Sequence, residues 1–429
     1  MKLSSIVNYA TSTGSMLVGV VAQSFAFLII ARYLGKTNYG QLATLTAVIS
    51  ICAPWVQMGT AELVRRRIAI DRRQYPEILG HSVILLFGVG FIVALLVSGV
   101  LSFFVHFGSG AVKDFLVIWM FCFCGLVLYP WMVLIEQIFL AHEMLTRANF
   151  TNAGFGAWRT IIAAVACIGF GARSVADWAV WNFAAYTIAS ILGALAIARF
   201  GAPSIRIIRR ELILGATFGV SGFLYNLRQN IDILCLSVIA TPDVVGSFGL
   251  ARRIISITYV MSASLDRLIY GQLVKASQSG LQRTASVAIK FAYYAVIIAV
   301  VTVIVLCIAS NYLVLTFFGS TYREAVPLVR ILSGLIILVA LQNLAFDALN
   351  SANRHKMQIA ISSASVLVGA MSVVFFTFQF GVNGAVFGLY VMELLLAVAL
   401  WAGLMGLVDQ KSFQRVSTFF SRSAQVPRR

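Results

Sequence analysis

Runs of about twenty apolar residues, parted by short polar or basic segments, recur from one end of the chain to the other. In helical form such a run crosses the hydrocarbon core of a bilayer. The pattern predicts about twelve membrane-spanning helices, at 6–31, 41–60, 81–105, 115–138, 150–170, 179–199, 212–238, 246–269, 287–309, 326–347, 358–379 and 384–407. The runs are continuously apolar and do not alternate with period two. They also exceed the roughly ten residues of a barrel strand. Inside a bilayer the backbone must bond to itself, which leaves the helix. The expected fold is an all-α polytopic membrane protein.

One stretch breaks the pattern. Leu212 to Thr241 is long enough to span, yet it carries Asn226, Arg228, Gln229, Asn230 and Asp232. Ionisable residues at that depth are costly and mark functional or paired positions. Ser221, Tyr225, Arg228 and Asp232 recur at helical spacing and share one face, with Asn226 and Gln229 beside it. Arg228 and Asp232 are also at the i, i+4 spacing of a helical ion pair. Two readings stand: Arg228 holds a phosphate that Asp232 positions or releases, or the two form a structural pair.

Other polar positions in the spans are fewer. Arg159 follows Trp158 in the fifth span, and Arg267 follows Asp266 near the end of the eighth. Each is either a cavity cation or a side chain that snorkels to the interface. Glu393 lies near the middle of the twelfth span with no cation close in sequence. It is packed and protonated, paired across helices, or a proton site. Arg252 and Arg253 read as residues of the outer interface. Glu62, just before Arg65 and Arg66, reads as a structural partner for them.

Composition agrees. Hydrophobic residues make up 60% of the 429 and charged residues only 11%, where a soluble domain carries about a quarter. The net charge of +17 would point to nucleic acid in a soluble protein. Here most Lys and Arg fall in alternate connecting segments, among them Arg65, Arg66, Arg67, Arg72, Arg73, Arg147, Arg206, Arg209 and Arg210. The positive-inside rule places those segments and both termini in the cytoplasm. The N-terminus lacks the short apolar core and small-residue site of a cleaved signal peptide. The six cysteines sit in apolar stretches without metal-ligand spacing. No Walker sequence and no nucleophile–base constellation appears. The expectation is a protein that is not an enzyme, holds no cofactor and binds no nucleic acid.

A weak repeat surrounds the midpoint. Phe170-Gly171-Ala172 before the sixth span is echoed by Phe380-Gly381-Val382 before the twelfth. Leu140-Ala141-His142-Glu143 before the fifth is echoed by Leu349-Asn350-Ser351-Ala352 before the eleventh. Six plus six spans of one orientation form a parallel repeat, as in transporters that alternate access around a midplane site. The expected division is a first lobe at 1–205, a second at 206–407 and a basic tail at 408–429.

Several of these segments also resemble a known family. The run Ala31-Arg32-Tyr33-Leu34-Gly35-Lys36-Thr37-Asn38-Tyr39-Gly40 is similar to the loop after the first helix of polysaccharide transporters. Met58-Gly59-Thr60-Ala61-Glu62-Leu63-Val64-Arg65, Asn230-Ile231-Asp232-Ile233-Leu234 and Leu349-Asn350-Ser351-Ala352-Asn353-Arg354 resemble later segments in order. The family is the polysaccharide transporter branch of the multidrug/oligosaccharidyl-lipid/polysaccharide exporter superfamily, and the resemblance covers nearly the whole chain. It implies a V-shaped bundle of two six-helix lobes, like that of multidrug and toxic compound extrusion (MATE) transporters. It further implies flipping of undecaprenyl-diphosphate-linked oligosaccharide across the bacterial inner membrane, for O-antigen or exopolysaccharide, with a polysaccharide polymerase as a partner. Guanidinium groups suit a diphosphate because they offer several fixed donors and stay charged. The substrate-binding candidates are therefore Arg228, Arg159, Arg267, Asn226 and Gln229. Asp232 and Glu393 are the candidates for coupling or gating, with a proton or sodium ion as the coupling ion. A multidrug/cation antiporter is the rival, and it would want an acidic cavity instead.

Overall fold

The computed structural model describes residues 3–108 and 110–406, and their side chains except for 3–18, 20 and 260–268. The tail expected at 408–429 lies outside the described residues, as does the side chain of Arg267. Among the described residues the regular structure is helical, without strands.

Every expected span falls on a helix, but the breaks between them differ from expectation in two places. Helix α1 (Leu3–Gln57) holds the first two spans and turns only at Gly35, where φ is 73° and ψ 172°. The expected loop at 34–40 is thus a single left-handed residue, a conformation that glycine adopts without steric cost. After α2 (Thr60–Ile70), α3 (Tyr75–Val83) runs through a π-helical turn at Ile84–Val89 into α4 (Gly90–Leu101). The next span is α5 (Ala111–Phe123) joined through Cys124–Leu128 to α6 (Tyr129–Ala141). Helix α7 (Leu145–Ala164) and α8 (Val175–Ile197) follow, the latter started by a capping box between Ser174 and Asp177. Then come α9 (Arg209–Ile239), α10 (Pro242–Ser277), α11 (Leu281–Leu313), α12 (Ala325–Ser333) and α13 (Leu335–Ser351). Last, α14 (His355–Leu404) holds the final two spans and bends at Gly381, with φ 60° and ψ −133°.

The outer faces show what solvent these helices need. Ile92, Leu96 and Val100 of α4 are exposed, as are Ile297, Val301, Ile304, Val305 and Ile308 of α11. Such continuous apolar stripes are not left facing water in a monomeric soluble protein. Among the described residues seven helical stretches, Arg72–Leu101 and Leu281–Phe318 included, are long and apolar enough to cross a membrane.

The chain forms two compact units, Met1–Asn226 and Leu227–Arg429. In the first, α1 packs on α7, and α6 packs on α2, α7 and α8. Trp178, Tyr75, Leu45 and Ile118 are among its fully buried side chains. In the second, α13 packs on α10, α11 and α14, with Leu344, Ala345, Ala348, Leu349 and Leu396 at its core.

The expected break is at 205/206, whereas the two compact units divide inside α9, a position with a local cause. The segment before α9 is tied to the first unit. Ser204 N donates to Pro76 O at 2.8 Å, Arg206 pairs with Glu77 at 3.4 Å, and Ile208 N donates to His81 Nδ1 at 3.2 Å. Glu211, buried, pairs with Arg67. The first half of α9 then lies close on the α1–α2 turn. A Cβ at Gly215 would stand 2.3 Å from Met58 O, and one at Gly219 3.3 Å from Pro54 O. The expected close approach at Gly215-x-x-x-Gly219 is therefore made, within the first unit.

The repeat is visible in backbone geometry. Glu143 and Asn353 both adopt positive φ, at 61° and 57°. Met144 N donates to Phe139 O and Arg354 N to Leu349 O, each at 2.9 Å. Gly171 and Gly381 likewise share a left-handed φ. These pairs follow one register, in which Leu140 answers Asn350. The match of Leu140 to Leu349 read from sequence is off by one residue.

Candidate functional site

The polar run of α9 enters the second unit at Leu227, and its side chains are progressively buried along the helix. Ser221 and Tyr225 are exposed, Arg228 keeps 16% of its side chain accessible, and Asp232 keeps none. The face expected from spacing is there, but its residues do different things.

Arg228 does not pair with Asp232. Its guanidinium lies edge-on to Glu393 of α14, with Nε donating to Oε1 at 3.1 Å and Nη2 donating to Oε2. This two-point geometry is the strongest form of the arginine–carboxylate contact. Nη2 also donates to Gln342 Oε1, from α13. The Gln342 amide in turn donates to the Glu393 carbonyl at 2.6 Å and to Oε2 at 2.9 Å. Three helices thus meet in one closed network. Of the three readings open for Glu393, pairing across helices is the one the structure shows.

Asp232 pairs instead with Arg252 of α10, Nε to Oδ2 at 2.6 Å, and Arg252 Nη2 reaches the carbonyl of Gln229 at 3.3 Å. Arg252 is only 8% exposed, which corrects its reading as an interfacial residue. The Nε–H is not aimed along the contact, and neither Asp232 oxygen receives a well-directed hydrogen bond. Tyr259 lies within electrostatic reach of Arg228, Arg252, Asp232 and Glu393. The four charges cancel, two cations against two acids. A closed, neutral set is what burial in an apolar unit demands.

In the first unit, Arg159 of α7 stands apart. Its guanidinium carbon lies 5.2 Å from the centre of the Tyr186 ring, a cation–π distance. Its Nε is buried without a hydrogen-bond partner. The Glu136 carboxylate of α6 accepts from Asn152 at 3.0 Å. Of Arg159, Arg228 and Arg252, only Arg159 has no acidic partner among the described residues. Tyr129 and Phe155 pack edge-on to Tyr186 at 6.5 and 5.0 Å, which sets this guanidinium beside an aromatic cluster.

The structure therefore brings Arg228, Glu393, Asp232 and the Gln229 backbone together in the second unit. Asn226 is the last residue of the first unit, half-buried on α9. Glu62 pairs with Arg65 at 2.8 Å, as expected. Two members of the network were missed, Arg252 and Gln342. Arg252 had a legible signal: it lies as far after Pro242 as Asp232 lies before it, so a helical hairpin brings the two level. Gln342 had none, since a single amide in an apolar run does not announce its partners. Among the described residues no group of His, Cys, Asp and Glu is placed to hold a metal ion.

Comparison with known proteins gives the family and the fold. A family model described as polysaccharide biosynthesis protein matches residues 7–265. No curated protein matches the chain. Among solved structures, the inward-facing form of a multidrug resistance MATE transporter superposes with a TM-score of 0.72 at 14% identity, over 92% of this chain and 96% of that one. A transporter of the same superfamily from Pyrococcus furiosus, described by the reverse polarity of its binding pocket, gives 0.63 at 14% identity over 98% and 96%. A eukaryotic MATE transporter gives 0.61 at 14% identity over 97% and 99%. At such identities the likeness carries the fold alone.

Proposed function

Because the chain belongs to the polysaccharide biosynthesis protein family, we propose that this membrane transporter flips undecaprenyl-diphosphate-linked oligosaccharide repeat units across the bacterial inner membrane. The product would feed O-antigen or exopolysaccharide synthesis, with a polymerase consuming it on the far side. The family and the MATE-like fold support a transporter of that superfamily. The cargo is our reading, and one observation carries it: Arg159 offers a positive charge that no acid among the described residues pairs with. A diphosphate needs such a group, with donors in a planar fork and no internal competitor. An organic cation would need an unpaired acid, and the acids Asp232 and Glu393 are already matched by Arg252 and Arg228.

In this reading Arg159 is the first receptor for the diphosphate, with the Tyr186, Tyr129 and Phe155 rings beside it for sugar faces. Arg228 is a second receptor, reached only when Glu393 lets go of it. Asn226 and Gln229 supply polar contacts to sugar hydroxyls, and Arg267 an outlying cation. The cycle exposes these groups alternately to the two sides of the membrane.

The test uses the full chain reconstituted in vesicles that hold a lipid-linked oligosaccharide in one leaflet. The wild type flips it, Arg159→Ala does not, and Arg159→Lys retains part of the rate because charge survives without the fork. Equal flipping by Arg159→Ala removes this residue from the mechanism. Export of organic cations by the wild type, with no flipping, establishes the antiporter instead.

A further inference from the structure

Two guanidinium groups of the first unit converge on one uncharged atom. Arg147 Nη1 lies 4.0 Å from Met144 Sδ, and Arg199 Nη2 lies 3.1 Å from it. A thioether is a weak acceptor, so two like charges, from the start of α7 and the end of α8, meet without being neutralised. The acid of this turn, Glu143, faces Arg72 at 3.5 Å. Among the described residues no acid pairs with Arg147 or Arg199.

Both cations are placed against the easier alternative. Arg147 stands in the first turn of α7, the end at which the helix dipole disfavours a cation, and that turn has no acid and no side-chain cap. Arg199 is held by rings. Its guanidinium carbon lies 4.6 Å from the centre of Phe200 and 5.7 Å from that of Phe139, and Phe200 is itself stacked on His142 at 4.1 Å. Both arginines are exposed. Each also heads an apolar stripe. Phe150, one turn beyond Arg147, is 78% exposed. On α8 the exposed Leu195, Leu192 and Ile188 precede Arg199 by four, seven and eleven residues and so share its face.

We propose that Arg147 and Arg199 clamp the phosphate of an anionic phospholipid, whose acyl chains run along Phe150, Leu192 and Leu195. A phosphodiester takes donors from both guanidiniums at once and removes their repulsion. The start of α7 favours the same charge. A zwitterionic lipid brings its own ammonium into the site, and a free phosphate leaves the stripes uncovered. In the orientation that the positive-inside rule gives, the clamp lies at the cytoplasmic leaflet, whose surface is negative. Every residue of it belongs to the first unit, and it does not depend on the flippase reading.

The test is calorimetric binding of dioctanoyl-phosphatidylglycerol to the full chain in a neutral detergent. Arg147→Gln and Arg199→Gln each weaken it about fivefold and together about thirtyfold, the worth of one and two guanidiniums at a membrane surface. Arg66→Gln with Arg73→Gln removes as much charge from exposed residues of the first unit and leaves the affinity near that of the wild type. An equal loss in that pair means bulk charge and overturns the clamp. Dioctanoyl-phosphatidylcholine, with the same chains, and glycerol phosphate, with no chains, both bind far more weakly. Equal binding of glycerol phosphate makes this a free-phosphate site and removes the lipid. Displacement of phosphatidylglycerol by a short-chain prenyl diphosphate at far lower concentration assigns the arginines to the cargo, and the phospholipid proposal falls.

Discussion

At the scale of single residues, the second unit holds Arg228, Arg252, Asp232 and Glu393 in its interior and pairs each of them. Arg252 and Asp232 are the deeper pair. Replacing one partner leaves the other charged and buried, which costs about 3–5 kcal/mol. Asp232→Asn should therefore lower the midpoint of thermal unfolding in nanodiscs strongly. The joint change Asp232→Leu with Arg252→Leu should recover most of the loss, since two apolar side chains of similar size leave no stranded charge. A double variant as unstable as the single one would mean that the pair contributes more than mutual neutralisation. Arg159 is the opposite case, a guanidinium paired only with a ring, and its removal should leave stability almost unchanged while transport is lost. That contrast separates a residue kept for packing from one kept for a ligand. It also shows where sequence reading ran out. The face through Arg228 and Asp232 was legible from helical spacing, but spacing made them partners of each other. Their true partners come from α10, α13 and α14, and only the α10 contact follows from counting residues around a turn.

At the scale of elements, glycine decides where helices bend and where they cross. The two legs of α14 illustrate both uses. Gly381 makes the bend by its positive φ, and nothing lies within reach of an added Cβ there. Gly384 and Gly388 sit where the legs touch. A Cβ on the first would stand 1.8 Å from Phe376 O, and on the second 2.6 Å from Val373 Cα. Gly381→Ala should thus cost only backbone strain, of order 1–3 kcal/mol, and leave a folded protein. Gly388→Leu should force the legs apart and prevent stable insertion, seen as loss of the monodisperse peak in detergent. If Gly388→Leu purifies normally, the crossing is looser than the backbone distances say. Of these glycines Gly381 was visible in the sequence, as the Phe-Gly before the twelfth span that echoes the one before the sixth. What was not visible was that the loops at 34–40 and 380–385 shrink to a single bent residue inside one long helix. Lys36, Thr37 and Asn38 mark a polar interruption at the first place and Asn383 marks the second, so hydropathy shows where the apolar run pauses but not whether the helix stops there.

At the scale of the whole chain, the number and class of spans were legible because the bilayer allows few solutions, while the division into units was not. Chain composition changes at 201–208, but the ties of that segment to Pro76, Glu77 and His81 carry the first unit on into α9. Those same ties collect basic residues at one end of the first unit. Arg206 lies beside Glu77, Arg67 beside Glu211, and Arg72 reaches Glu143 at 3.5 Å, next to the turn that carries Arg147. Ser174, at the start of α8, belongs to the opposite end, one span away from both Arg147 and Arg199. The positive-inside rule then assigns the arginine-rich end to the cytoplasm. Single cysteines test this in a background without the six native ones. Arg66→Cys and Arg147→Cys should resist a membrane-impermeant maleimide in intact cells and react after permeabilisation, and Ser174→Cys should react at once. The reverse pattern would invert the protein. Arg65, Arg66, Arg72 and Arg73 would then face the side from which the flipped headgroup departs, and a flippase loading from the cytoplasmic leaflet would have its electrostatic collar at the exit.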